Sequence, residues 1–221
     1  MYRLFAALSF AVMLSGAHAS ITVSSYAMPD GADLHGAYFD NLYTGTKDGS
    51  GYLSGGKGDL TDGVLSASVA AGYGAWAPYV LWDGHSPVIS FDLGAAYALT
   101  GITGYFKYYP QAAVYLPGSV GLRFSLDGIT FASSQLRTLT PVERAPGAND
   151  SDGIDPLLAS PATARYVELT LNNGPENRWL ALSEVVFDGN LASPSTVPEP
   201  GSLALVLAGL LATAGWRRQR R

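Results

Sequence analysis

Ser119-Val120-Gly121-Leu122-Arg123-Phe124-Ser125-Leu126-Asp127-Gly128-Ile129-Thr130-Phe131 is the stretch on which the fold turns. Val120, Leu122, Phe124 and Leu126 point one way and Gly121, Arg123 and Ser125 the other, the period of a half-buried strand. The run stops at Asp127-Gly128. Both residues tolerate positive φ, so the pair reads as a hairpin turn joining 120–126 to 129–133. The same grammar recurs on either side. In 165–171, Val167, Leu169 and Leu171 alternate with Tyr166, Glu168 and Thr170, and in 88–93, Ile89, Phe91 and Leu93 share a face. Seven Asp-Gly pairs, at Asp30, Asp48, Asp62, Asp83, Asp127, Asp152 and Asp188, punctuate the chain. No internal stretch carries an apolar stripe of helical period. Many short strands between turn signals predict an all-β sandwich or jelly roll, and no repeat period suggests a solenoid or propeller.

Two segments fall outside this pattern. Residues 44–63 hold seven glycines and little apolar content, which predicts a long surface loop. Residues 141–161 hold Pro146, Pro156 and Pro161 with three aspartates, the composition of a binding loop or insertion.

The chain has 221 residues and no cysteine, which excludes disulfide scaffolds, thiolate metal sites and cysteine nucleophiles. Its ends are addresses. Arg3, an apolar run over 4–14 and Ala17-His18-Ala19 make a secretory signal with cleavage after Ala19, so residues 1–19 are a signal peptide. The sandwich then occupies 20–190 and a Ser/Pro/Ala linker 191–196. Pro198-Glu199-Pro200 follows, then an apolar run over 201–216 and Arg217-Arg218-Gln219-Arg220-Arg221. As a helix that run would span about 24 Å, short of a ~30 Å hydrocarbon core. It reads as a short transmembrane helix whose arginines stay cytoplasmic.

Residues 197–221 resemble a PEP-CTERM sorting signal, with its Pro-Glu-Pro motif, apolar helix and basic tail in order. The resemblance implies export in a Gram-negative bacterium and recognition of Pro198, Glu199 and Pro200 by an exosortase-type membrane enzyme. The protein would pass the inner membrane transiently and end in the envelope or an extracellular matrix. A plain C-terminal membrane tail is the alternative. Without the two addresses, residues 20–196 keep 8 Lys and Arg against 17 Asp and Glu, a formal charge of −9. A domain so acidic does not suit a nucleic-acid partner.

A second resemblance rests on Asp59-Leu60-Thr61-Asp62-Gly63, Ile89-Ser90-Phe91-Asp92-Leu93-Gly94, Leu116-Pro117-Gly118-Ser119-Val120, the 125–131 turn, Ala164-Arg165-Tyr166-Val167-Glu168-Leu169 and Leu182-Ser183-Glu184-Val185-Val186-Phe187, in that order. Together these look like a discoidin, or coagulation-factor C, domain of the galactose-binding-like superfamily. That resemblance implies an antiparallel eight-stranded jelly roll whose apical loops bind glycans or lipids. It also implies a structural calcium at Asp59, Asp62 and Glu184. Two turn aspartates and a surface glutamate are the alternative for those residues.

Enzymatic constellations are missing. The exported part keeps His35 and His85, neither with a metal-ligand partner at short spacing, and holds no His-Glu-x-x-His, Gly-x-Ser-x-Gly, P-loop or dinucleotide fingerprint. A binding module is therefore expected, with polysaccharide as ligand. Sugar recognition needs an aromatic face with polar groups beside it. Trp179, Asn177, Arg178, Tyr108, Tyr109 and His85 are the candidates, with Trp76, Tyr79, Trp82 and Tyr115 as further aromatics; core packing is the competing role for each ring. A structural matrix or biofilm protein with no specific ligand is the alternative function.

Overall fold

The computed structural model describes residues 19–32, 38–65, 78–144, 157–176 and 178–193. The signal-peptide run, His35, Trp76, Asn177, the three aspartates at 150, 152 and 155, Pro198, Glu199, Pro200 and the apolar run 201–216 all lie outside them. The chain divides into two compact units, Met1–Leu191 and Ala192–Arg221. Among the described residues no helix is long and apolar enough to cross a membrane.

Unit one is all-β. Its strands are β1 (Ala19–Ser20), β2 (Ser25–Pro29), β3 (Thr46–Lys47), β4 (Tyr52–Gly56), β5 (Val80–Asp83), β6 (Val88–Phe106), β7 (Ser119–Ser125), β8 (Ser133–Thr138), β9 (Ala162–Asn172) and β10 (Trp179–Leu191). One single-turn helix, α1, covers Pro141–Arg144. Every pairing between two of these described strands is antiparallel.

The long strand β6 organises both layers. Its first arm, Val88 to Asp92, sits between β2 and β9, and β9 continues into β7 and β8. Its second arm pairs with β10, which carries β5 and β1. Between the arms the β6–β9 register slips, from Asp92↔Tyr166 to Tyr97↔Ala164. A bulge of this kind bends the strand and lets one sheet fold over on itself. The inner faces meet in one core: Phe91 of the first arm lies edge-on to Phe187 of β10, ring centroids 5.1 Å apart.

The period-two reading places this core correctly. Ile89, Phe91, Leu93, Val120, Leu122, Phe124, Val167, Leu169 and Leu171 are all buried. Leu126 is not: it is 61% exposed, because β7 ends at Ser125 and the chain has already entered its turn. That turn is also longer than a two-residue hairpin, since β8 begins only at Ser133. Asp127 holds it together, its carboxylate accepting from the amides of Ile129 and Thr130 at 2.9 and 2.7 Å.

Residues 44–63 correct an expectation. They are not a loop but the β3–β4 hairpin, laid against β2 and followed by a 3-10 turn at Asp59–Thr61. Glycine there permits close approach: a Cβ on Gly58 would fall 2.1 Å from Oδ1 of Asp40. Only Leu53 and Leu60 anchor the segment in the core, too few apolar residues to reveal a period.

Candidate functional site

Three segments converge at one end of the sandwich: the β5–β6 turn, residues 108–115, and the β9–β10 connection. Backbone bonds tie them. Gly84 N–H donates to the Arg178 carbonyl at 2.7 Å, and the amides of Arg178 and Trp179 donate to the Ala113 carbonyl at 3.2 and 3.1 Å. Val114 bridges Trp179 on one side and Tyr109 on the other. The Asn173 amide group donates to the His85 carbonyl at 2.9 Å. His85, Tyr108, Tyr109, Arg178 and Trp179, far apart in sequence, thus occupy one loop end. Asn177 falls between described residues.

Their burial divides them. Trp179 is 7% exposed and Tyr108 8%. Trp179 packs in a small second core with Tyr38, Tyr79, Leu81, Val114 and Ala181, meeting Tyr38 edge-on at 5.1 Å, with the Arg178 guanidinium 5.6 Å over its ring. Tyr108 packs edge-on against Tyr115 at 5.8 Å. The expectation of open aromatic platforms is corrected for both: each is a core ring where the strand meets the loops. Tyr79 and Trp82 are buried too, Trp82 donating to the Pro29 carbonyl at 2.8 Å. Tyr109 is half-buried. The hydrogen-bonding side chains this end offers to solvent include His85, Arg178 held to Asp83 at 3.3 Å, and Glu176 held to Arg144.

The acidic residues lie elsewhere, on a face formed by the turn after β4 and the middle of β10. Asp59 and Glu184 are buried, 6% and 5% exposed, while Asp62 is exposed. Asp59 accepts from Asn41 N–H at 3.0 Å, and Glu184 from Gly63 N–H at 3.1 Å. Asp40, unnoticed in the sequence, belongs with them. It is buried, takes the Asp59 amide at 2.9 Å, and receives the hydroxyl of Tyr26. Burial, reinforced by the neighbouring Asp40 charge, pushes the Asp59 carboxyl up to about 7. Burial likewise lifts Glu184 to about 7, opposed by the Gly63 amide and assisted by the charge of Asp62. Asp40 is raised by the same desolvation, against the lowering effect of the Tyr26 hydroxyl. Among the described residues no ion pair supplies a cation to Asp40, Asp59 or Glu184. Nor do any three His, Asp or Glu side chains among them gather closely enough to hold a metal by themselves. Asp59, Asp62 and Glu184 are therefore neighbours rather than a closed cage. Asp40 and Asp59 differ from most of the aspartates in being followed by Asn and Leu rather than Gly, and that departure from the turn pattern was the available signal.

The C-terminal reading has direct support, since residues 196–221 match the PEP-CTERM protein-sorting motif. The chain carries that sorting signal. No curated protein matches the chain. Among solved structures it is similar to the C-terminal domain of a chitobiase from Bacteroides fragilis, at 15% identity over 79% of this chain and 100% of that one, with a TM-score of 0.49. It is also similar to CBM32-5 from Clostridium perfringens, solved in complex with GalNAc-beta-1,3-galactose, at 12% identity over 76% of this chain and 99% of that one, TM-score 0.44. A fucolectin from striped bass (Morone saxatilis) serum shows 15% identity over 81% of this chain and 52% of that one, TM-score 0.44.

Proposed function

We propose that this protein is an exported, non-catalytic module that binds an extracellular or envelope polysaccharide at the loop end, after exosortase-type processing at its tail. One observation carries the binding site: three distant segments are stitched by backbone bonds into a single polar surface around His85 and Arg178. A surface fixed in this way offers donors and acceptors without an ordering cost on binding. With Trp179 and Tyr108 built into the core beneath it, recognition would run through hydrogen bonds, with Tyr109 and Tyr115 as half-buried rings. Asn177 belongs to the proposed contact set through its place between Glu176 and Arg178. The test is titration of soluble polysaccharide fragments into the purified protein. Arg178→Ala and His85→Ala should each weaken binding while leaving the melting temperature nearly unchanged. Unaltered affinity in both variants would remove the loop end from the reading.

The burial of the two strongest ring candidates favours a second reading, a matrix or biofilm component with no specific ligand. It predicts no saturable binding of any polysaccharide but an altered envelope or biofilm on deletion of the gene.

Export is proposed to begin with cleavage after Ala19, leaving Ser20 as the first residue and the domain running from 20 to 190. The Pro198-Glu199-Pro200 motif is proposed as the feature the processing enzyme reads.

A structural calcium ion suits the acidic face chemically. Hard oxygen donors are present and no ion pair among the described residues neutralises Asp59 or Glu184, which is the condition a divalent cation relieves. Binding it would have to draw Asp59, Asp62 and Glu184, which the described structure leaves short of a closed cage, together with backbone carbonyls. Its role would be to fix the turn after β4 against β10.

A further inference from the structure

The outer face of the first-arm sheet holds a cleft of about 270 Å³ with no part in the loop-end surface. Its origin is steric. The outward residues of the central strands are small, Ser25 and Ala27 on β2 facing Asp92 and Ser90 on β6. The walls are higher: Gly55 on β4 to one side, and the 126–132 turn with Phe131 to the other. Gly128 sets the height of that turn. It has φ of +74°, and its backbone rests on the Tyr166 ring, where an added Cβ would lie 3.3 Å from the ring carbons.

The floor is a row of locked polar groups. Asp92 is gripped by Arg165 through two bonds of 2.9 Å, and Glu168 by Arg123 at 2.9 Å. Each arginine is also stacked on an aromatic ring, Arg165 on Tyr166 and Arg123 on Phe131, both at 4.8 Å. The guanidinium fork and the ring fix the orientation of each carboxylate, and the lone pairs left free point in set directions. Two arginines and two carboxylates sum to zero. In a domain of charge −9 this is a locally neutral, hydrogen-bonding cleft. A cation would find the carboxylates already neutralised, and an anion would meet a negative domain. An uncharged polyol meets neither penalty: its hydroxyls donate to Asp92 and Glu168, and its C–H face can lie against Phe131.

We infer that this cleft is a second binding site, for a neutral oligosaccharide, on the sheet face rather than the loop end. It shares with the loop-end reading only the class of ligand. Tyr166 and Asn172 are six residues apart on β9, about 20 Å along the strand, so one short glycan does not fill both places.

The experiment titrates the full chain, held in a detergent without sugar headgroups, with cello-, malto- and galacto-tetraose by calorimetry. Ser90→Trp fills the cleft from an outward position. Glu168→Gln and Asp92→Asn keep shape and remove charge, so they decide the matter if Ser90→Trp fails to fold. The inference expects at least one sugar to bind with affinity reduced about tenfold in these variants, the cost of a charge-assisted hydrogen bond. In the Arg178→Ala background the same cleft substitutions should still lower the remaining affinity about tenfold. If Arg178→Ala abolishes binding and the cleft variants stay within about twofold of the parent, the cleft is refuted and the loop-end reading stands. If the parent binds none of the three, the cleft inference is refuted along with the loop-end expectation for these sugars.

Discussion

The loop end and the acidic face are both polar, yet they treat charge in opposite ways. At the loop end each exposed ion is matched: Arg178 with Asp83, Arg144 with Glu176. On the acidic face Asp40 and Asp59 are buried side by side and Glu184 is buried against Gly63, and backbone amides and one tyrosine hydroxyl are what the described structure offers them. Paired surface ions contribute little to stability and are free to exchange partners with a ligand. Buried carboxylates without a counter-ion weaken the fold until a proton or a cation arrives. On the proposed reading the first region serves recognition, and the second gains stability when a proton or a cation binds.

The largest way to break this contrast is Trp179→Ala. Were Trp179 a ligand platform, its loss would reduce binding alone. As a ring buried against Tyr38 it should cost about 3–5 kcal/mol of folding stability, visible as a lower denaturant midpoint without any sugar present. Calcium comes next. Added at about a hundred times its dissociation constant it should stabilise the protein by roughly 2.7 kcal/mol, read as a melting temperature that rises with calcium and falls with chelator. Glu184→Gln should abolish most of that response, whereas Arg178→Ala should not.

A smaller effect follows from protonation. Asp59 and Glu184 have folded values near 7, above the usual carboxylate range, so the folded state binds protons that the unfolded chain has released. Without calcium, stability should therefore fall as pH rises from about 4 to 7 and level off above that. Asp92 and Asp127 act in the other sense, held low by Arg165 and by turn amides respectively. Their contribution is lost only as pH drops below about 4, so the two windows separate. A melting curve that climbs steadily between pH 4 and 7 in chelator would overturn the assignment of strained carboxylates. The smallest change is Arg178→Ala, expected to shift stability by less than about 0.5 kcal/mol while altering glycan binding.

Much of the fold was legible because burial repeats along a strand. Val120, Leu122 and Phe124, or Val167, Leu169 and Leu171, declare one buried face by alternation alone. The β3–β4 hairpin was hidden because its glycines and serines carry no such period, and its stability comes from pairing with β2. The site was less legible for a related reason. Aromatic residues serve cores and ligands alike, so Trp179 and Tyr108 could not be assigned until their neighbours were known. Asp40 escaped notice because its partners, Tyr26 and Asp59, are 14 and 19 residues away.

By itself the sequence determined the all-β class, the absence of thiol chemistry, the acidity of the exported domain and the sorting signal at 197–221. Each is written in local order: period, composition, or a contiguous motif. Only the tertiary structure decided which rings face inward, which carboxylates lie together, and that a locally neutral cleft crosses the sheet. Those properties depend on long-range neighbours. Strand register brings Asp92 opposite Tyr166 and Glu168 opposite Arg123, and a single-residue slip would send every one of them to the other face.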